Sequence, residues 1–428
     1  MGMPQVSRIG IPAAILIFSC LLSPVLAQES TARGDWVVGD GQTLTGTTTW
    51  EGNITVESGG YLTITGATLI FNSTNTSHRG IFVELGGRIK VENSRITTVN
   101  KSNGFVFYAN GSVEIVNSRF DYIFGTTVGI VWIGGFRVTS DDPVVEGSMF
   151  IDAMGFGPRF EGCENVVFRD NTVTRCSTGL LFEESNGIIQ GNTFTNNTDR
   201  QVVIRGCEQV SFINNTLNLT GMGGLVVTRT GMVETSGNYY EGSFYVIYAS
   251  NGTTISMDGE YIIGDQIQVE SRDNSDVLIT DSVLDINRVN TVSGSSVRIK
   301  RHVKIRVVSG NGNPVSGALV KVLDPDKELV ANGTTNDDGI VQFLLGVADI
   351  TVNPFKPSEP DRELFGPYDF RALKGIYSAS GSANITTNYN LEVKLQFPWI
   401  FVVGAAAVVV LIAVIVLAPP SGGRSRKR

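Results

Sequence analysis

Glu161 and Glu183 stand 22 residues apart in a chain of 428 residues. If the backbone winds once in about that interval, the two carboxylates lie one strand apart, about 5 Å. A carboxylate pair at that distance can serve a retaining glycosidase as nucleophile and acid. It could also begin an oxygen cage for Ca²⁺. The plainer reading is a solvated surface column in which Glu183 meets Arg205 on the next turn. Asp141 and Asp142 form a second acidic candidate, but Pro143 follows them and favours a turn. Trp132, Phe136 and Arg137 could make a platform on which a sugar ring stacks, or the two aromatics could plug a core. The two histidines, His78 and His302, do not neighbour an acidic cluster in the sequence.

A repeat must position these residues. Hydrophobic residues that close short strands recur at Leu69, Ile96, Phe120, Phe150, Val173, Phe194, Leu217, Tyr240, Tyr261 and Leu284. Their spacing is about 22 residues and persists along the chain, the mark of a solenoid. The residues before them repeat in kind: Asn93-Ser94-Arg95, Asn117-Ser118-Arg119, Asp170-Asn171-Thr172, Gly191-Asn192-Thr193, Asn214-Asn215-Thr216. Asn tolerates the left-handed backbone of a sharp corner, and stacked Asn side chains can hydrogen-bond along a ladder. Runs such as Val166-Val167-Phe168 favour strands over helices. Three short strands and three turns per repeat predict about ten coils over residues 36–299 and a rod on the order of 50 Å. The same spacing puts Glu84, Tyr108, Glu161, Glu183, Arg205, Thr228, Ala249 and Glu270 in one column. The longest interval, between Phe120 and Phe150, predicts a protrusion around Gly125 to Asp142, and loops that leave a solenoid commonly bind.

Segments such as Gly179-Leu180-Leu181-Phe182-Glu183-Glu184-Ser185-Asn186-Gly187 through Asn192-Thr193-Phe194 resemble the repeats of right-handed parallel β-helix proteins of the carbohydrate-binding and sugar-hydrolase type. That resemblance implies the fold and leaves the activity open, since lyases, hydrolases, epimerases and inactive surface proteins share it. The chain lacks the Asp and His that complete a pectate-lyase-like signature after Val131-Trp132-Ile133, and it has no alginate-epimerase-like Asp-Pro-His-Asp.

Periodicity stops near Arg301. Gly312-Asn313-Pro314-Val315-Ser316-Gly317-Ala318, followed by Thr335-Asn336-Asp337-Asp338-Gly339, resembles a carboxypeptidase-regulatory, transthyretin-like β-sandwich over residues 302–395. Such a module implies a spacer or adhesion unit, and Asp338-Gly339 reads as a hairpin turn. The fold class expected is thus all-β: a parallel β-helix, a small antiparallel sandwich and one transmembrane helix.

Both ends carry membrane-related segments. Residues 1–27, with Arg8 before an apolar run, read as a signal peptide. Residues 399–418 carry no charge and are long enough to cross a bilayer. The basic tail 419–428 follows, so the positive-inside tendency places the C-terminus in the cytoplasm and the rest outside a cell membrane. Cys163, Cys176 and Cys207 would remain in the mature chain. Cys163 and Cys207 lie two coils apart, about 9.6 Å, beyond disulfide reach. A buried stack of small residues around Ser185 is the favoured reading. Asn53, Asn72, Asn75, Asn100, Asn110, Asn196, Asn214, Asn218, Asn251, Asn332 and Asn384 begin N-x-S/T sequons and are candidate glycosylation sites.

With 33 Lys and Arg against 41 Asp and Glu, the chain lacks the basic excess that a nucleic-acid partner needs. No cofactor is implied apart from the possible Ca²⁺. The expected function is a membrane-anchored recognition, adhesion or envelope scaffold that binds a glycan or a cell-surface protein. The alternative is a polysaccharide-active enzyme working through the surface carboxylates.

Overall fold

A computed structural model describes residues 30–396, apart from 75–77, 129–130, 219–220, 243, 354, 357–358 and 386–389. Side chains of residues 126–133 are also outside the description. The expected signal peptide 1–27, membrane span 399–418 and tail 419–428 lie outside the described residues. Among the described residues no helix is long and apolar enough to cross a membrane.

Short strands alternate with sharp corners and stack in register, so each rung adds a strand to each of three faces. One face is a parallel sheet of twelve strands, from Trp36–Val38 to Val289–Val292. The solenoid therefore has about twelve turns rather than the expected ten. The ten strand-closing residues run from Leu69 to Leu284, so the first turn, at Trp36–Val38, and the last, at Val289–Val292, fell outside that count. The other two faces are joined because the early strands Gly41–Trp50 and Tyr61–Phe71 run through both. The only helical segment among the described residues is the 3-10 turn Ile286–Arg288.

Inward side chains build one continuous core. Rings meet along it from rung to rung: Phe107 stacks on Phe136 at 4.4 Å and Phe120 on Phe150 at 5.2 Å, and Phe160 lies tilted against Phe182 at 5.2 Å. Offset and edge contacts of this kind add to the burial of apolar area. At the corners Asn93, Asn117, Asp170, Asn214 and Asp281 hold φ between 48° and 55°, the left-handed conformation expected of them.

One corner carries a ladder of buried polar side chains. Ser94, Ser118, Ser148, Asn171, Asn192, Asn215, Asn238, Glu260 and Ser282 succeed one another, each accepting the backbone N–H of the residue below it. Each Asn also donates its amide to an inner-strand carbonyl, as Asn192 does to Phe168 at 2.9 Å. A second corner stacks Cys163 under Ser185, whose Oγ accepts the Cys163 N–H at 3.0 Å. Thr230, Thr253, Ser275 and Ser295 continue the same kind of ladder. The expected stack of small residues is therefore present.

Cys163, Cys176 and Cys207 are buried and free. Burial pushes their thiols up to about 11, about 12 and about 11. Only the thiolate is nucleophilic, so a buried thiol with a raised pKa is inert. Aromatic disulfide titration at mildly alkaline pH should find these three thiols unreactive in the native chain and reactive after denaturation. Fast reaction of the native chain would contradict their burial.

The strand Ser296–Val308 crosses the expected boundary near residue 300 without interruption. Its first half pairs with the β-helix strand Asp276–Thr280, and its length pairs with Ile340–Val352. With Asn390–Lys394 and Pro360–Leu364 this makes one sheet of the C-terminal unit. A second sheet orders Leu329–Thr334, Leu319–Leu323, Tyr368–Lys374 and Tyr377–Ala383. The Asp338-Gly339 turn joins strands of different sheets, so it is not a hairpin. Arg362 from this unit donates to the carbonyls of Asn287 and Val289, at 3.3 and 2.7 Å, which covers part of the open end of the twelve-stranded face.

Candidate functional site

The outer side of the twelve-stranded face gathers three of the candidate residues, Arg137, Glu161 and Glu183. Strand pairing puts Phe82, Tyr108, Arg137, Arg159, Leu181, Val203, Val226, Tyr248 and Glu270 in one column. The adjoining column holds Glu161, Glu183, Arg205, Thr228 and Ser250. The column expected from spacing is correct for Glu84 and from Glu161 to Thr228, and slips at Tyr108, Ala249 and Glu270. Tyr108 and Glu270 belong to the first column, and Ser250 stands where Ala249 was expected. Coil lengths vary by a residue or two, and one residue of slip reverses a side chain.

The two glutamates do stand side by side, but they are occupied. Arg137 Nε reaches Glu161 Oε2 at 2.7 Å, and Arg159 Nη2 bridges Glu161 and Glu183 at 2.9 and 2.8 Å. Arg205 closes the row on Glu183 Oε1. Three guanidinium groups thus neutralise two carboxylates. An acid and nucleophile pair needs oxygens that can approach a sugar, and a Ca²⁺ ion would compete with three fixed cations. The row holds side chains in place; it is not laid out as the expected carboxylate machinery.

Asp141 Oδ1 accepts the Glu164 N–H at 2.9 Å, and Asp142 Oδ1 accepts from the Asn165 amide at 2.9 Å. Asp142 has φ of 55°. The pair therefore forms a turn, without convergence on a site.

The expected protrusion is a β-hairpin, Gly125–Val128 against Val131–Gly134, after which the chain rejoins the face at Phe136–Val138. Trp132 lies on the returning hairpin strand, and its side chain is outside the described residues. Phe136 points inward, is 0% exposed and stacks on Phe107, so it is a core residue and no sugar platform. Arg137 points outward. Alternation along Phe136-Arg137-Val138 explains the division.

Where the hairpin leaves the face there is an open cleft of about 400 Å³ lined by His78, Phe82, Val106, Tyr108, Phe124, Gly134, Gly135 and Arg137. Arg137 lies over the Tyr108 ring, 5.1 Å from its centroid, and its Nη1 donates to the Tyr108 hydroxyl at 3.3 Å. Cation–π contact and the Glu161 bond together fix the guanidinium. The His78 ring stacks on Phe124. Its Nδ1 lies 2.8 Å from the Asn103 carbonyl. A carbonyl can only accept, so Nδ1 carries the hydrogen, and in the neutral ring Nε2 keeps its lone pair. His78 was not singled out by its sequence neighbours; it precedes the strand Gly80–Val83, and only rung stacking brings it to Tyr108 and Arg137.

Aromatic faces, a fixed cation and an imidazole in one open cleft can stack a sugar ring, hold an anionic substituent and accept a proton. Among the described residues no group of three or more His, Cys, Asp or Glu side chains is placed to hold a metal ion.

Comparison with known proteins gives a family match over part of the chain. Residues 103–264 match the family model of the right handed beta helix region. No curated protein matches the chain. Among solved structures, the periplasmic alginate epimerase AlgG aligns at 12% identity with a TM-score of 0.42, over 61% of this chain and 78% of that one. The enzymatically active domain of bacteriophage CBA120 tailspike protein 4 aligns at 8% identity and a TM-score of 0.34, over 79% and 64%. The Dettilon tailspike protein aligns at 9% and 0.36, over 82% and 71%. Together with the strand register, the family match identifies the stacked rungs as a right-handed parallel β-helix.

Proposed function

We propose that this protein recognises a polysaccharide at a cell surface, through the cleft beside the hairpin. The carrying observation is the fixed Arg137 guanidinium over Tyr108, in a cleft that also presents His78, Phe82 and Phe124. Such a site suits a sugar ring bearing a carboxylate or sulfate. The N-terminal apolar segment, the uncharged stretch 399–418 and the basic tail support a single-pass anchor with the β-helix outside. The C-terminal unit would serve as a spacer between rod and membrane. Of the sequon residues, Asn100, Asn196, Asn214, Asn218, Asn251, Asn332 and Asn384 are exposed, as glycosylation would require.

A glycan array probed with the full chain tests this reading. Acidic oligosaccharides should bind, and Arg137→Ala should weaken them about tenfold or more, the loss of one charge-assisted contact. Unchanged binding in Arg137→Ala would exclude the cleft.

A second reading rests on His78. A uronate held by Arg137 could lose its C5 proton to His78 Nε2, break the C4–O bond and leave a double bond, the departing oxygen taking a proton from Tyr108 or water. Ultraviolet-absorbing unsaturated ends would then appear in wild type and not in His78→Ala. Binding without such products leaves the recognition reading alone.

A further inference from the structure

The binding face does not end at the cleft. Further along the same face lies a second aromatic group: Phe244, Tyr245 and Tyr248. Phe244 packs edge-on to Tyr245 with centroids 4.5 Å apart, and Tyr245 lies 5.7 Å from Tyr248. Arg272 stands over the Tyr248 ring at 6.0 Å and pairs with Glu270 at 3.3 Å. Glu270 faces outward yet is 3% exposed, while its partner Arg272 stays 37% exposed beside the rings. Phe244 keeps 42% of its surface exposed. The arrangement repeats that of the cleft: an outward tyrosine, a guanidinium over its ring and a glutamate that fixes the guanidinium.

The two groups share one register column. Tyr108 leads to Tyr248 through Arg137, Arg159, Leu181, Val203 and Val226. Six strand steps separate them, about 29 Å along the solenoid. Between them run the Arg137–Glu161–Arg159–Glu183–Arg205 row and the apolar Leu181 and Val203. The row carries three positive and two negative charges, so it does not repel an anionic chain laid over it. A single sugar unit would touch one group only; an extended polymer parallel to the axis reaches both.

We infer that Phe244, Tyr245 and Tyr248, with Arg272, form a distal subsite for the same polysaccharide chain, so that recognition depends on oligosaccharide length. This rests on the polysaccharide reading above. Two linked contacts on one chain raise affinity more than either alone, because the second forms at high effective concentration. The occupant proposed is an acidic polysaccharide, since both ends offer a guanidinium beside half-buried or exposed aromatic rings.

The test is calorimetric titration of the full chain with alginate oligosaccharides, one set of trisaccharides and one of octasaccharides. The octasaccharide should bind about tenfold or more tightly than the trisaccharide. Tyr245→Ala/Tyr248→Ala should remove that gain and leave trisaccharide binding unchanged, and Tyr245→Phe/Tyr248→Phe should restore it, which separates lost ring faces from misfolding. A length gain that survives the double alanine variant overturns the distal subsite and spares the cleft. Failure of both oligosaccharides to bind overturns the acidic-polysaccharide reading and the subsite with it.

Discussion

Replacing Asn192 by alanine lowers the unfolding free energy by about 4 kcal/mol, the sum of several lost buried hydrogen bonds. Asn192 is 1% exposed. Its amide oxygen accepts from the Asn171 N–H at 2.8 Å and from the Asn171 side chain at 3.1 Å. Its amide nitrogen donates to Phe168 at 2.9 Å and to Asn215 at 3.0 Å. Alanine leaves the Asn171 N–H and the Phe168 carbonyl buried without these partners. Serine should recover part of the loss, because Ser118 and Ser148 occupy the same ladder and accept one N–H each. Urea unfolding of wild type and the two variants measures the order. A loss below about 1 kcal/mol in the alanine variant would mean that the ladder is not what holds this corner.

Glu260→Gln has the opposite sign and depends on pH. Glu260 takes the ladder position that Asn holds in the four rungs before it. It accepts from the Asn238 N–H at 2.7 Å, from the Asn238 amide at 3.1 Å and from Thr235 Oγ1 at 2.5 Å. Burial pushes its carboxyl up from 4.5 to about 7, against the pull of these donors, with Asp258 adding to the rise. Tyr240, buried beside it, has its phenol raised well above the ordinary range, by burial first and by Glu260 second.

The folded carboxyl therefore holds its proton more tightly than the unfolded one. Its contribution to stability is complete below pH 4.5 and is lost as the pH rises through about 7. Above that the loss amounts to about 3 kcal/mol. Glutamine keeps the acceptor and can donate to the Thr235 hydroxyl, without a charge. The variant should be more stable than wild type by about that amount near pH 8 and about equal to it near pH 4. Thermal unfolding at the two pH values measures this. Equal stabilisation at both would show that repacking, and not charge, is responsible.

Much of the fold was legible because a solenoid repeats its constraints. Corner residues such as Asn93, Asn117 and Asn214 and the large hydrophobic residue that closes a strand in successive rungs recur at one spacing, which marks a β-helix. The enlarged interval before Phe150 announced the hairpin. What spacing could not carry is the exact column, since coils differ by a residue or two and Ala249 and Glu270 slipped. Glu260 escaped notice because a single Glu in a ladder of Ser and Asn reads as a surface residue.

The site was legible only in part. Glu161 and Glu183 are neighbours as expected, but their arginine partners come from three rungs, and pairwise spacing does not reveal that both are neutralised. Phe136 and Arg137 were offered together, and strand alternation divides them between core and surface. His78 enters the cleft from a loop outside the repeat, where no period points to it.

Hydrogen–deuterium exchange of the full chain, with and without bound alginate oligosaccharide, tests most directly that the twelve-stranded face is the recognition face. Protection is expected in the strands Gly80–Val83 and Val106–Ala109, in the hairpin strands Gly125–Val128 and Val131–Gly134 and in Phe136–Val138. Protection confined to the other two faces or to the C-terminal unit would contradict it.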